Sequence, residues 1–325
     1  MPTALITGVG GQDGSYLVER LLADGVEVHA LALPDDVPVD GVHTHLGDVA
    51  DVEATRGLLL DVAPDEVYNL AAVSSVARSW TEPDLVARVN GLAAVGLLES
   101  AHLLQERTGR PVRFVQASSA EIFGLPDRSP QDEDTAVRPV NPYGAAKAYA
   151  HHAVEVYRRR GVHAVGLVLY NHESPRRPPQ FVTRKITTGV AAIAAGAATT
   201  LTLGNLAATR DWGWAPDFVE AMVLTARAEV PRDYVVATGD SHTVEEFVAA
   251  AFGCAGIDDW APYVEVDPAL FRPIDAQALT GDASRIRADL GWAPTVGFEE
   301  VVRRMVEADL TTQWGRPDPG PGRGR

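Results

Sequence analysis

The sequence predicts a doubly wound α/β fold, in which a mostly parallel sheet carries helices on both faces and a smaller α/β lobe follows. Three observations predict it. Strand-like and helix-like segments alternate through the first half of the chain. A glycine-rich turn directly follows the first strand-like run. The composition is that of an ordinary globular protein, 46 % hydrophobic and 22 % charged over 325 residues, enough chain for one large core or two smaller ones. Alternation implies a parallel sheet because parallel neighbours can be joined only by a crossover, usually a helix.

The elements follow in order. Thr3–Thr7 is a short apolar run ending in glycines and reads as the first strand. Ser15–Ala23 has helical periodicity, Val26–Leu33 is a second strand, and His43–Leu46 is a short third followed by Gly47 and Asp48. Val52–Val62 reads as a helix, Glu66–Ala72 as a strand and Leu85–Gln105 as one long helix. Val112–Ala117 is a strand, Tyr143–Arg159 a helix and Val162–Leu169 a strand. After Tyr170 the pattern loosens, and Pro-rich loops at Ser174–Gln180 and Pro262–Pro273 separate helices from short strands. The apolar stretch Gly189–Thr200 reads as a buried helix. The tail, Arg316–Arg325, holds Gly, Pro and Arg without periodicity and is expected to be disordered.

Charge and cysteine content narrow the function classes. With 28 Lys and Arg against 44 Asp and Glu, the net charge is −16, which argues against nucleic acid as a partner. It leaves room for an anionic small ligand, which responds to local charge and backbone N–H groups. The one cysteine, Cys254, cannot form an internal disulfide, and no Cys cluster offers a zinc site. The chain enters a strand pattern at once, without a basic stretch leading into an apolar run, and no uncharged apolar run is long enough for a bilayer. The expectation is a soluble cytoplasmic protein with no membrane contact. His43 and His45 would share one face of a strand, and His151 and His152 lie on a helix; no carboxylate stands at ligand spacing in a recognised motif, so no metal is expected.

Thr7–Gly14 reads T-G-V-G-G-Q-D-G between a strand and a helix, so Gly8, Gly11 and Gly14 are spaced G-x-x-G-x-x-G. Such a turn lets the backbone approach a pyrophosphate, and the following helix directs its free N–H groups at the phosphates. In this context the pattern predicts a Rossmann dinucleotide site. The expected organisation is an NAD(P)-binding domain over residues 1–170, a mainly substrate-binding lobe over 171–315 and a tail over 316–325. An acidic residue after the second strand suits NAD and an arginine suits NADP. Here that strand ends Ala32-Leu33-Pro34-Asp35-Asp36 with no arginine near, which favours NAD.

Tyr143 and Lys147 stand four apart on a helix and so share a face. A tyrosine titrates at about 10, and a neighbouring ammonium lowers that value by favouring the phenolate. The expectation is a tyrosine tuned to take a proton from a sugar hydroxyl while hydride leaves the same carbon. Ser118-Ser119-Ala120-Glu121 follow the C-terminal end of the strand Val112–Ala117, where open parallel sheets place their active sites. Ser119 can hydrogen-bond the reacting oxygen, and Glu121 offers a second acid/base group.

With these residues in place, the sequence resembles the extended short-chain dehydrogenase/reductase family and, within it, the GDP-mannose 4,6-dehydratases. The matching runs are Ile6–Leu17 (ITGVGGQDGSYL), Pro64–Ala72 (PDEVYNLAA), Gln116–Gly124 (QASSAEIFG), Asn141–Lys147 (NPYGAAK), Asn171–Arg177 (NHESPRR) and Phe181–Ile186 (FVTRKI). Shorter matches continue through Leu203–Leu206, Arg210–Gly213, Val235–Gly239, Phe271–Pro273 and Leu290–Trp292. NHESPRR with FVTRKI carries the subfamily; the glycine loop and Y-x-x-x-K carry only the superfamily.

The resemblance implies roles for individual residues. Ser119 stands where the family has a threonine that polarises the C4 oxygen, Glu121 matches the base at C5, Tyr143 the base at the C4 hydroxyl, and Lys147 its support and a ribose contact. The cofactor would lie on Gly8, Gly11, Gln12, Asp13, Gly14, Asp48, Val49, Leu70, Ala71, Ala72, Ser74, His172 and Arg177. Asn171, Val182, Lys185, Arg210, Arg272 and Asp275 would hold a GDP-sugar, with Lys185, Arg210 and Arg272 suited to a diphosphate as charge-assisted donors. The implied reaction oxidises C4, eliminates water across C5 and C6, and returns hydride to C6 with no external reductant.

Three departures from the family pattern stand out. Leu33-Pro34 replaces its arginine pair, and about nine residues join Leu33 to His43 where the family has a long arginine- and serine-rich loop. That loss favours NAD over NADP and a homodimer over a tetramer. Ser75 replaces a histidine, and Asp275 stands in place of a glutamate. The alternative reading is a C4 epimerase of a GDP-hexose or GDP-heptose using the same transient ketone. A 4-keto-sugar reductase and a non-catalytic dinucleotide sensor fit less of the constellation.

Overall fold

Seven strands form one parallel sheet in the computed structural model, which describes residues 1–34, 39–271, 274 and 278–312. Asp35, Asp36, Arg272, Asp275 and the tail 316–325 lie outside the described residues. The chain opens with β1 (Thr3–Thr7), α1 (Gln12–Ala23), β2 (Glu27–Ala32), β3 (His43–Leu46), α2 (Val52–Val62) and β4 (Glu66–Asn69). Next come α3 (Val76–Thr81), α4 (Pro83–Val86), α5 (Ala93–Thr108), β5 (Arg113–Ala117), α6 (Pro142–Arg159) and β6 (His163–Leu169). The second half adds β7 (Asn171–Glu173), α7 (Val182–Ala194), β8 (Leu201–Leu203), β9 (Thr209–Trp214), α8 (Ala215–Ala226) and β10 (Tyr234–Val236). It ends with β11 (Ser241–Thr243), α9 (Val244–Cys254), β12 (Val264–Val266), β13 (Ala278–Leu279), α10 (Ser284–Leu290) and α11 (Phe298–Thr312).

The sheet runs β10-β6-β5-β4-β1-β2-β3. Strand order reverses between β1 and β4, so the crevice there opens over the glycine loop that follows β1. Alternate side chains feed two cores. On one face Ile6, Val28, Val115 and Val165 pack with Leu17 and Leu21 of α1 and Phe218 and Met222 of α8. On the other, Leu5, Val67 and Phe114 pack with Leu59 of α2, Leu97 of α5 and Val154 of α6. A strand covered on both faces buries nearly every position; all four residues of β4 are buried, with its polar Glu66 and Asn69 bonded to the Tyr68 and Thr7 hydroxyls. The second half crosses back into this layer: β10 pairs with β6, and α8 packs against α1. Among the described residues no helix is long and apolar enough to cross a membrane.

The remaining strands form a smaller sheet in which β9 pairs with β11, β13 and β7, together with the pair β8–β12. Their core gathers Ile186 and Val190 of α7, Trp212, Phe247 and Phe252, and Phe298, Val302 and Met305 of α11. Because β7 follows directly on β6 and pairs with β9, the lobe is fastened at the C-terminal edge of the large sheet.

Three expectations change. Leu85–Gln105 is not one helix: α4 passes through a wider π turn at Ala87–Leu92 before α5. The turn contains Asn90, whose side chain accepts from Val73 N (2.8 Å) and donates to Val73 O (3.1 Å), clamping the loop after β4. Gly189–Thr200 is helical only to Ala194; the chain turns at Gly196, where Ala197 N–H bonds back to Ala192 O at 2.8 Å. The strand expected over Glu66–Ala72 ends at Asn69, beyond which Ala71 N–H bonds the Thr7 hydroxyl instead of a neighbouring strand.

Candidate active site

The site grows from the C-terminal ends of β1, β4 and β5, which a buried polar chain ties together. Thr7 Oγ1 donates to Asn69 Oδ1 (2.7 Å), Asn69 Nδ2 to Gln116 Oε1 (2.8 Å) and Gln116 Nε2 to Ala117 O (3.0 Å). Beside it the glycine loop turns into α1. Gly8 has φ of +74°, and a Cβ on Gly14 would stand 2.3 Å from Gly8 O, so neither position admits a side chain. Gly11 caps α1 without any side-chain hydrogen bond, which leaves the helix's first amides available to an anion.

The start of α1 is also anchored to β7. Gln12 Nε2 donates to His172 O (2.9 Å), and Gln12 Oε1 accepts from Ser174 Oγ (2.8 Å). Asp13 Oδ2 meets His172 Nε2 at 2.9 Å, and His172 Nδ1 meets Tyr170 O at 2.7 Å. Burial alone would raise Asp13, but His172 and then Arg177 outweigh it and hold the carboxyl below its ordinary value. Burial would likewise lower His172, and Asp13 reverses that, so the imidazole holds its proton more strongly than usual.

Ser119, Glu121, Tyr143 and Lys147 line one cavity. Ser119 follows β5 and its hydroxyl accepts from Glu121 N at 3.3 Å, and Asn141 caps α6 by accepting from Gly144 N at 2.7 Å. Tyr143 is 8 % exposed and Lys147 3 %. Ser119 stands beside the Tyr143 hydroxyl and favours its phenolate. Lys147 Nζ donates to Ala117 O at 2.8 Å and lies 5.9 Å from the Tyr143 ring centre. One part of the sequence expectation fails here: burial pushes Tyr143 up to about 12 in spite of the opposing influence of Ser119, and Lys147 does not offset it. The ammonium is committed to the Ala117 carbonyl, and burial pushes Lys147 itself down to about 8. Ser118 Oγ, buried beside this pair, has no hydrogen-bond partner among the described residues. The uncapped helix start, the side-chain-free loop and this orphaned hydroxyl are the features a nicotinamide dinucleotide requires.

A cavity of about 470 Å³ runs from this cluster to the smaller lobe, within the range of small-molecule sites. Asp13, Leu70, Ala72, Ser74, Ser119, Glu121, Tyr143, Lys147, Asn171, His172, Arg177, Val182, Lys185 and Arg210 all line it. Gly8, Gly11, Gln12, Gly14 and Ala71 are not among the residues that line it. Asp48 and Val49 stand apart, after β3; Val49 is buried in the core beside Leu31, and Asp48 Oδ1 accepts from Ala50 N at 2.9 Å. Arg272 and Asp275 are not described, but Phe271, their neighbour, lines the cavity.

Several site residues carried no role in the sequence reading. Asn141 Nδ2 donates to Glu121 Oε2 at 2.8 Å, so one residue caps the catalytic helix and holds the acid/base group. Its signal was present, since Asn before Pro142 is a strong helix-start pattern. Glu173 is buried between Thr183 Oγ1 (2.6 Å) and Arg177 Nε (3.1 Å), linking NHESPRR to FVTRKI. Ser75, the departure from histidine, caps α3 by accepting from Arg78 N at 3.2 Å and also lines the cavity.

Comparison with known proteins agrees with this geometry. A family model described as GDP-mannose 4,6 dehydratase matches residues 5–305. GDP-mannose 4,6 dehydratase 1 of Arabidopsis thaliana is 45 % identical over 324 aligned residues, covering 94 % of this chain and 89 % of that protein. GDP-mannose 4,6-dehydratase of Vibrio cholerae is 40 % identical, covering 94 % and 93 %. Among solved structures, the UDP-glucose 4-epimerase of Thermus thermophilus, determined with NAD, superposes with a TM-score of 0.82 at 30 % identity over 94 % of this chain and 98 % of that one.

Proposed function

This chain belongs to the GDP-mannose 4,6-dehydratase family, and from that premise we propose that it converts a GDP-hexose of the mannose type to its 4-keto-6-deoxy product. The observation that carries the reading is the gathering of Ser119, Glu121, Tyr143 and Lys147 in one cavity with Lys185 and Arg210. A nicotinamide cofactor held by the glycine loop, Tyr143 and Lys147 would supply the hydride chemistry, accepting at C4 and giving back at C6. The Tyr143 oxygen accepts the proton of the C4 hydroxyl, and Ser119 Oγ hydrogen-bonds the same oxygen as it becomes a carbonyl. Lys147, held on Ala117 O, keeps a positive charge beside the proton-transfer site. The C4 ketone acidifies C5–H. Glu121, steadied by Asn141, takes that proton as the C5=C6 bond forms and hands it to the departing C6 hydroxyl, which leaves as water. After hydride reaches C6, Glu121, reprotonated from solvent, protonates C5, and Tyr143 releases to solvent the proton it took from the C4 hydroxyl, so the net change is loss of one water. Asn171, Val182, Lys185 and Arg210 form the nucleotide-sugar wall, and the family pattern adds Arg272 and Asp275 as substrate contacts, all supplied by residues 171–315.

The preferred cofactor is NAD. The segment after β2 carries Asp35, Asp36 and Asp40 and no arginine, so a 2′-phosphate there would meet carboxylates. We propose a cytoplasmic homodimer. Tyr149 and Val156, seven apart on α6, are 51 % and 56 % exposed, and Leu103 on the neighbouring α5 is 37 % exposed, an apolar face suited to a second copy. Sedimentation at the monomer mass would remove the dimer. The test of the reaction is incubation with GDP-mannose and catalytic NAD. A product lighter by one water, with no net cofactor reduction, is expected; a product of unchanged mass would overturn the reading.

A further inference from the structure

The opposite end of the sheet holds a cluster that the reaction does not use. Strands β2 and β3 pair in parallel with His29 opposite His43 and Leu31 opposite His45. Residues two apart on a strand share a face, so Glu27, His29, His43 and His45 project together from the open edge. Three of the chain's nine histidines therefore meet on two short strands, far more than scattered surface residues would place there. The sequence alone joined only His43 to His45 and found no carboxylate at ligand spacing. Strand pairing supplies both the carboxylate and the third imidazole.

From this geometry we propose that Glu27, His29 and His43 form a binding site for a divalent transition cation of the zinc class. Glu27 Oε1 stands 3.5 Å from His29 Nε2 and 3.5 Å from His43 Nε2, and the ligand atoms of all three residues lie within 4.8 Å of one another. Two ligands at 2.0–2.1 Å on a tetrahedral zinc stand about 3.4 Å apart, so only a small inward movement of one imidazole completes three corners. The second nitrogen of His29 is also placed for the purpose. His29 Nδ1 meets His45 Nε2 at 2.9 Å; with Nδ1 donating, the Nε2 lone pair faces Glu27 and His43. A hydrogen bond on the non-ligating nitrogen is the usual way a protein orients a metal-binding histidine. His45 is thus a positioning residue.

Two imidazoles and one carboxylate favour zinc and its transition-metal neighbours over magnesium or calcium. Exposure grades outward, from 16 % for the His29 side chain through 37 % for Glu27 to 62 % for His43, which leaves the fourth position to water. The ion would clip β3 to β2 across the segment joining them, and β3 leads directly to Asp48 and Val49. Its role is to hold that edge of the fold, since no residue of the catalytic cluster takes part.

The test uses the full-length protein stripped of metal and titrated with zinc chloride, read by calorimetry and by the melting temperature. About one equivalent should bind and raise the melting temperature. His43→Ala and Glu27→Gln should each weaken binding at least tenfold and remove the thermal shift. His45→Ala should weaken it by about 10–100-fold, as loss of an orienting partner does. His152→Ala, a control on the remote helix, should change nothing, and substitution of cobalt should give the visible absorption of a tetrahedral site. Failure of the parent protein to bind zinc, or equal binding by parent and His43→Ala, would overturn the proposal and leave the cluster as stacked edge histidines.

Discussion

On the sheet side of the cleft, Tyr143 and Lys147 are nearly sealed from solvent, and burial shifts both, the phenol up to about 12 and the ammonium down to about 8. On the lobe side, Lys185 is half-buried on α7, while Arg210 is buried on β9 with Nη1 held by Thr209 O at 2.8 Å. In the proposed reaction the first wall serves proton transfer, where a few tenths of an ångström and the local dielectric decide the outcome. The second would serve anchoring, where formal charge matters more than fine position. Substitutions on the first wall should therefore change turnover, and those on the second should change substrate affinity.

The largest effect is expected from Tyr143→Phe, which should lower kcat by about 10²–10⁴-fold while NAD affinity, measured by fluorescence titration, stays at the parent value. Retained turnover would break the assignment of the first wall. Lys185→Met should act the other way, raising KM for the GDP-sugar by about tenfold, the loss of one charge-assisted hydrogen bond, with a smaller change in kcat. A fall in kcat at unchanged KM would erase the distinction between the walls.

The smallest effect concerns stability. Because the folded Lys147 titrates at about 8 against 10.5 ordinarily, the unfolded chain binds more protons between those values, and stability rises with pH across that window. Below pH 8 the burial cost is fully in force. Lys147→Met should then resist urea better than the parent, by about 1–3 kcal/mol, with the advantage shrinking as pH approaches 10. An advantage independent of pH would mean that Lys147 is not a strained buried cation.

The two walls also differed in how readable they were. β1, β3 and α2 fall on the bounds read from sequence. In α2 the signal is local, because Asp51 caps it by accepting from Ala54 N at 3.0 Å. The glycine loop, Ser119, Glu121, Tyr143 and Lys147 were legible for the same reason, since each sits at a fixed offset from a strand or helix end. The π turn was not, because it serves Asn90's bonds to Val73, seventeen residues away. The lobe offered strands of two or three residues, such as β11, β12 and β13, too short for any alternation to register. Its anchoring residues came from family resemblance and not from periodicity. The raised Tyr143 was missed because sequence spacing shows that Lys147 is near but not how deeply the phenol is buried.

The central claim is that Glu121 is the C5 base, which separates elimination from simple inversion at C4. A single turnover of Glu121→Gln with GDP-mannose and stoichiometric NAD tests it most directly, with cofactor absorbance and product mass followed together. The account predicts that reduced cofactor accumulates, since C4 oxidation still proceeds, while no water is lost. Cofactor that returns to the oxidised form with a new product of unchanged mass would contradict it, and would show C4 chemistry running to completion without the carboxylate.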